Sequence, residues 1–312
     1  MNTKIYTKKK PLVAALSVAI LMMSQNANAV NADKIIEDGA EHSYAQGEHK
    51  ITVHDGKVKN TTLTGGSTVA LVGNGSSENL YQVAESNHNI YNDKSQLSVG
   101  EQAYSSDDTF NSSATQTVNG GISENSTFSD RSVQTLSNDA ISTNSAFGDD
   151  AHQVIINGGS STGAQFSGSS IQTSSSTDEK APAASLKATF KDNSKQVLGD
   201  NGWSEESKFT GNSAQYVAGN NTLSANNVFI DTSTQTVSNA GQSLNDRFTG
   251  NSAQKVYKDG LVSGATFSGN ASQTLEDGAK SENTTFNDNA SGTVSARALM
   301  LGDTMLNGTS HL

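Results

Sequence analysis

The chain has 312 residues, no cysteine, 28 glycines, two prolines and a formal charge of −11 at pH 7. Disulfides cannot hold it together. Its acidity argues against nucleic acid and anionic lipid as partners, since both need basic patches.

Residues 1–29 read as a signal peptide. Lys4, Lys8, Lys9 and Lys10 form a basic start, Leu12 to Met23 an apolar run, and Ala27-Asn28-Ala29 a small-residue cleavage site before Val30. The apolar run is too short for a confident membrane span, and no other long apolar stretch occurs, so no transmembrane segment is expected in the mature chain. Removing the leader takes away four lysines and no acid. That leaves 16 Lys+Arg against 31 Asp+Glu, a formal charge of −15. Residues 30–49 are expected to form an N-terminal cap region.

Repeats begin near residue 50. Ile51-Thr52-Val53-His54-Asp55-Gly56 followed by Asn60-Thr61-Thr62-Leu63 parallels Gln273-Thr274-Leu275-Glu276-Asp277-Gly278 followed by Asn283-Thr284-Thr285-Phe286. Residues 73–89 fit the pattern poorly and are expected to be irregular. Gln96 stands six residues after Ile90, as a weak copy of the later Phe-to-Gln spacing.

From Phe110 onward the pattern is regular. Phe110, Phe128, Phe147, Phe166, Phe190, Phe209, Phe229, Phe248 and Phe267 each precede a glutamine by six residues: Gln116, Gln134, Gln153, Gln172, Gln196, Gln215, Gln235, Gln254 and Gln273. Phe286 keeps the spacing but meets Gly292. A period of about 19 residues is the mark of a stacked-coil architecture. Abundant Gly, Ser, Thr and Asn alone would suit disorder, but disorder has no need of a regular apolar position.

Two residues before each glutamine stands a small residue (Ala114, Ser132, Ala151), and two after it usually an aliphatic one (Val118, Leu136, Ile155). Period two is a strand signal: small, Gln and aliphatic share one face, while Thr117, Thr135 and Lys255 point the other way. Asn119-Gly120 and Asp259-Gly260 supply turn chemistry, a second strand leads to the phenylalanine, and Ser268-Gly269-Asn270 closes the unit. Short strands and turns every 19 residues describe one rung of a parallel β-solenoid. Phenylalanines are expected to stack along the core. The glutamines are expected to form an amide ladder, the alternative being solvent-facing amides. The 24-residue step from Gln172 to Gln196 places a loop insertion near 174–182, where Pro182 cannot donate to a ladder. About twelve rungs are expected over residues 50–295, with 296–312 as a C-terminal tail.

The leader and the stretches Gln116 to Phe128, Gln254 to Phe267 and Gln273 to Phe286 resemble the passenger repeats of AIDA-type autotransporter adhesins, the group that includes antigen 43. The resemblance covers most of residues 50–294. It implies an all-β fold, a right-handed parallel β-helix displayed on the Gram-negative surface. It also implies adhesion, auto-aggregation or biofilm formation, in some members with O-linked sugars on Ser/Thr. Residues 296–312 supply no barrel strands of the kind that carry such passengers out. The sequence therefore reads as a fragment, a truncated product or a chain using another exporter, with the periplasm as its destination if no translocator acts.

Residues with chemical potential are few. Gly159-Ser160-Ser161-Thr162-Gly163 matches G-x-S-x-G, a motif that needs a strand-turn-helix elbow with His and acid partners; here it falls inside a repeat. His42, His49, His54, His88, His152 and His311 show no metal-ligand spacing and are expected to be solvated. The doublets Asp107-Asp108 and Asp149-Asp150 do not form facing pairs, because neighbours on a strand point to opposite faces. No catalytic, cofactor-binding or metal-binding residue is assigned. The leading reading is a non-enzymatic surface protein that associates with itself or with a host or abiotic surface. The alternatives are a polysaccharide-acting β-helix enzyme, which a groove of carboxylates and basic residues across several rungs would support, and an inactive remnant.

Overall fold

The computed structural model describes residues 33–73 and 84–312. The leader and residues 74–83 of the stretch expected to be irregular lie outside the described residues. The described chain is a parallel β-solenoid with three faces and no helix. One face bears the glutamines, as in Thr115–Asn119; the next is made of strands such as Ile122–Glu124; the third holds two-residue strands ending in phenylalanine, such as Thr127–Phe128. Thirteen strands stack in the phenylalanine face. The other two faces join through Lys50–Lys59, which pairs with both Thr68–Leu71 and Ala84–Asn87.

Register is kept rung after rung, so each inward residue meets its own equivalent: Gln116 opposite Gln134, Ser123 opposite Ser142, Phe128 opposite Phe147. The bends are as regular as the strands. Three residues before each phenylalanine the backbone is left-handed, for instance at Asn125, Asn144, Asn226 and Gly264. Two residues after it the same happens, for instance at Asp130, Asp149 and Gly269. Asn, Asp and Gly tolerate that conformation best, which explains their abundance in the chain. Lys187 and Glu206 hold it without that advantage (φ 54° and 53°), facing each other across a solvent-exposed 3.6 Å ion pair.

Tyr91 and the ten phenylalanines from Phe110 to Phe286 form one column of rings. Adjacent centroids are 4.6–5.1 Å apart and the planes lie within 4–16° of parallel. All eleven rings are fully buried. Each buried ring contributes roughly 1.5–3 kcal/mol from area removed from water.

Four expectations from the sequence need correction. Ile90 points outward at 39% exposure while Tyr91 joins the ring column, and Leu97, not Gln96, takes the glutamine position. Both Ile90 and Tyr91 are apolar, so the sequence spacing alone settled on the wrong one. Within the stretch 73–89 expected to be irregular, Ala84–Asn87 forms a regular strand. Residues 296–312 are not a tail: Leu299–Leu301 pairs with Lys280–Glu282, and Met305–Leu306 with Thr285–Phe286, adding one more rung. Ser174 and Ser175 belong to the strand Ile171–Ser175, and the irregular segment between it and Ala183–Leu186 is 176–182, pinned by Gly158 N–H donating to Ala181 O at 2.8 Å.

The two ends of the rod differ. At the first, Asp33–His42 runs along Lys50–Lys59, and Tyr44 packs on the core beneath the Lys34 ammonium, 4.0 Å from its ring. At the last rung, Leu299, Leu301, Met305 and Leu306 are 41–53% exposed.

Phe209→Ala is expected to cost about 3–5 kcal/mol, because its neighbours are fixed by rung spacing and cannot close the cavity; denaturant titration reads this. Glu206→Asn is expected to raise stability by up to about 1 kcal/mol, as relief of the left-handed backbone outweighs an exposed ion pair.

Candidate functional site

Inside the rod, polar chemistry is consumed by the fold. The nine glutamines are 0–1% exposed and form a one-directional ladder. Gln134 Nε2 donates to Gln116 Oε1 at 2.7 Å, Gln153 to Gln134 at 2.7 Å, and so on to Gln273 on Gln254 at 2.8 Å. The second amide proton often finds a serine hydroxyl, as in Gln196 Nε2 to Ser185 Oγ at 3.0 Å and Gln116 Nε2 to Ser105 Oγ at 2.8 Å. Those serines form a column of their own, five residues before each ring: Ser86, Ser105, Ser123, Ser142, Ser161 and onward, with Val262 as the exception. Sequence reasoning missed this column, although its constant offset from phenylalanine was available.

Outside, the rod offers regular polar rows. Three residues after the rings from Phe190 onward, Asn193, Asn212, Asn251, Asn270 and Asn289 form an exposed ridge, with Thr232 between Asn212 and Asn251. Asn289 Nδ2 donates to Asn270 Oδ1 at 3.0 Å and Asn270 Nδ2 to Asn251 Oδ1 at 3.3 Å, while Thr232 Oγ1 donates to Asn212 Oδ1 at 2.7 Å. Thr117, Thr135, Thr173 and Thr236 face outward in one row of the glutamine face. These side chains are held at rung spacing before any partner arrives, which lowers the ordering cost of repeated contacts.

Some apolar surface interrupts the polar rows. Tyr104, Ile122 and Ile141 are successive neighbours on one outward row. Tyr104 and Ile122 help line a depression of about 560 Å³ with Glu85 and Glu101. The Tyr104 hydroxyl donates to Glu124 at 2.6 Å, and burial together with that carboxylate pushes it up to about 12.

The residues singled out in the sequence do not converge. Ser161 of the G-x-S-x-G stretch is buried in the serine column and accepts from Gln153 Nε2 at 3.0 Å, with no elbow. His49 is a correction: it is buried at 6% exposure, bonded to Ala45 O at 2.8 Å and close to Lys34 Nζ at 3.0 Å. It forms part of the capping layer around Tyr44, where solvation was expected. His88, His152 and His311 are exposed. Asp107 and Asp108 do point to opposite sides, but Asp108 lies wholly inside the core. Asp149 and Asp150 are both exposed and line a shallow depression of about 500 Å³ with Ser112, Asp130 and Arg131. Here carboxylates and a basic residue gather across rungs. Yet Asp130 accepts the Ser112 N–H at 2.8 Å and Asp149 the Asp130 N–H at 3.3 Å, so two of the three carboxylates serve the bend. Among the described residues no group of three or more His, Cys, Asp and Glu could hold a metal ion.

No family model matches the sequence, and neither does any curated protein. Solved structures do match. The crystal structure of a TibC-catalysed hyper-glycosylated TibA fragment aligns with a TM-score of 0.69 at 15% identity, covering 89% of this chain and 95% of that one. The chain has the fold of the TibA fragment. Two structures of PfbA, a surface adhesin of Streptococcus pneumoniae, align at TM-scores of 0.28 and 0.26 with 11% identity, too low to argue from; the alignments cover 96% of this chain and 89% and 94% of those. Among the described residues no helix is long and apolar enough to cross a membrane.

Gln215→Met keeps the volume but breaks the ladder. It strips the donor from Gln196 Oε1 and the acceptor from Ser224 and Gln235. Ser224 and Gln235 keep their bonds to Asp246, so Gln196 Oε1 is the group left orphaned, and a loss of about 1–3 kcal/mol is expected, measured by chemical denaturation.

Proposed function

We propose that this chain is an adhesin-type passenger, exported by its leader and exposed at the cell surface or released. It holds cells to one another or to a surface through many weak polar contacts. The exposed asparagine ridge carries this reading, because it repeats one pair of hydrogen-bonding groups along successive rungs. Contacts of that kind are individually weak, and repetition along a rigid rod multiplies them. The resemblance of the repeats to AIDA-type passengers and the fold shared with the TibA fragment support the same role. The TibA fragment is hyper-glycosylated by TibC. The outward Thr row offers hydroxyls on this chain, so sugars on Thr117, Thr135 and Thr173 belong to the proposal.

Two measurements test it. Protease added to intact cells expressing the chain should cleave it; protection until the outer membrane is broken would refute surface display. Asn251→Asp and Asn270→Asp put like charges on the ridge, and cell settling should slow several-fold while the circular dichroism of the rod is unchanged. Unchanged settling would remove the ridge from the mechanism.

A further inference from the structure

We propose that Asp108 and Asp246 are two internal acid-responsive latches, which tighten the rod when they take up a proton. Both stand two residues before a ring, at 0% exposure. They are 138 residues apart, and so are three pairs of their neighbours: Ser86 and Ser224, Asn89 and Asn227, Ser105 and Ser243. The same core of one Asp, two Ser and one Asn is thus built twice, with Gln235 added at Asp246 and Tyr91 at Asp108.

The clusters have matching contacts. Asp108 Oδ2 accepts from Ser86 Oγ and Ser105 Oγ, both at 2.7 Å, and Oδ1 from the Asn89 N–H at 2.8 Å. Asp246 Oδ2 accepts from Ser224 Oγ at 2.6 Å, Ser243 Oγ at 2.8 Å and Gln235 Nε2 at 2.6 Å, and Oδ1 from the Asn227 N–H at 2.7 Å. Every one of these donors is neutral. Among the described residues neither carboxylate joins an ion pair. The titratable groups near Asp108 are the Tyr91 hydroxyl, reached through Ser86, and Asp107 on the outer side of the bend. Asp246 is bonded only to neutral groups.

A charge enclosed without a counter-charge is costly, and the fold does not require one here. Other rungs place Ser126, Ser145, Ala164 or Asn227 at the same position. Each cluster also serves the neutral acid. When the carboxyl gains a proton it donates to a serine oxygen, and a serine hydroxyl turns to a second acceptor already in place. For Ser86 that acceptor is Tyr91 Oη at 2.9 Å; for Ser224 it is Gln215 Oε1 at 3.0 Å, in the glutamine ladder.

Burial pushes Asp108 up to about 7, against the pull of its hydrogen bonds, and pushes Asp246 upward for the same reason. A carboxyl whose folded value is raised binds its proton more tightly in the native state. Stability therefore rises as pH falls from the folded value towards the unfolded value near ~4, and is lost as pH rises through the folded value. For Asp108 the window is about pH 4–7.

The test is denaturant unfolding of the full chain between pH 5 and 8, for the parent and for Asp108→Asn with Asp246→Asn. Acidification should lower the parent's unfolding constant by up to about tenfold per pH unit for each Asp that gains a proton. The double variant should show a flatter profile and a higher midpoint than the parent at pH 8. Equal slopes, or a double variant less stable than the parent at pH 8, would overturn the proposal. Asp108→Ser with Asp246→Ser, using residues native to this column, repeats the comparison should the amides perturb folding. Infrared spectroscopy of the parent decides independently: a protonated-carboxyl band should persist above pH 6, and its absence there would be equally fatal.

Discussion

The distance between neighbouring rungs governs this molecule. Parallel strands sit about 4.8 Å apart, so every inward side chain must be able to lie on a copy of itself at that spacing. Phenylalanine can, with rings nearly parallel at 4.6–5.1 Å. Glutamine can, because one amide carries both the donor and the acceptor that its neighbours require. Serine fills another inward column and takes up amide protons that the ladder leaves over. A charged residue meets the condition poorly, since a column of like charges cannot be stacked. The two fully enclosed aspartates, Asp108 and Asp246, accordingly appear singly, surrounded by hydroxyl and amide donors.

This constraint divides the chemistry of the chain into two compartments. Most inward amides and hydroxyls are spent on one another, and all of them are closed off from a ligand by burial. Outward positions have no partner imposed from within, and their order comes from the rung below. The asparagine ridge illustrates the result: its side chains are exposed, yet bonded along the axis. A surface so ordered is suited to contacts spread over many rungs, not to one enclosed site.

Much of this was legible in the sequence, for reasons of period. The Phe and Gln positions repeat, so their two inward columns and the small-Gln-aliphatic strand could be read directly. The serine column recurs just as faithfully, but serine is so common in this chain that its offset from phenylalanine did not stand out. Asp246 was missed because nothing marks it until the position two before each ring is known to face inward. The first rungs misled because Ile51, Val69 and Leu97 occupy the glutamine column there, which left Gln96 as a false landmark. The last rung was hidden because Leu306 replaces the ring and Gly292 the amide.

The bends have a consequence for how such a gene can change. Steps between successive glutamines range from 18 to 24 residues, yet the three columns never lose register, because the extra residues leave the rod at a bend such as 176–182. An insertion inside a strand would instead turn a buried row outward, as strand geometry requires. The coding sequence can therefore gain or lose whole turns, or vary its corners, with the axis preserved. Rod length and corner decoration can be selected separately from the core that holds them.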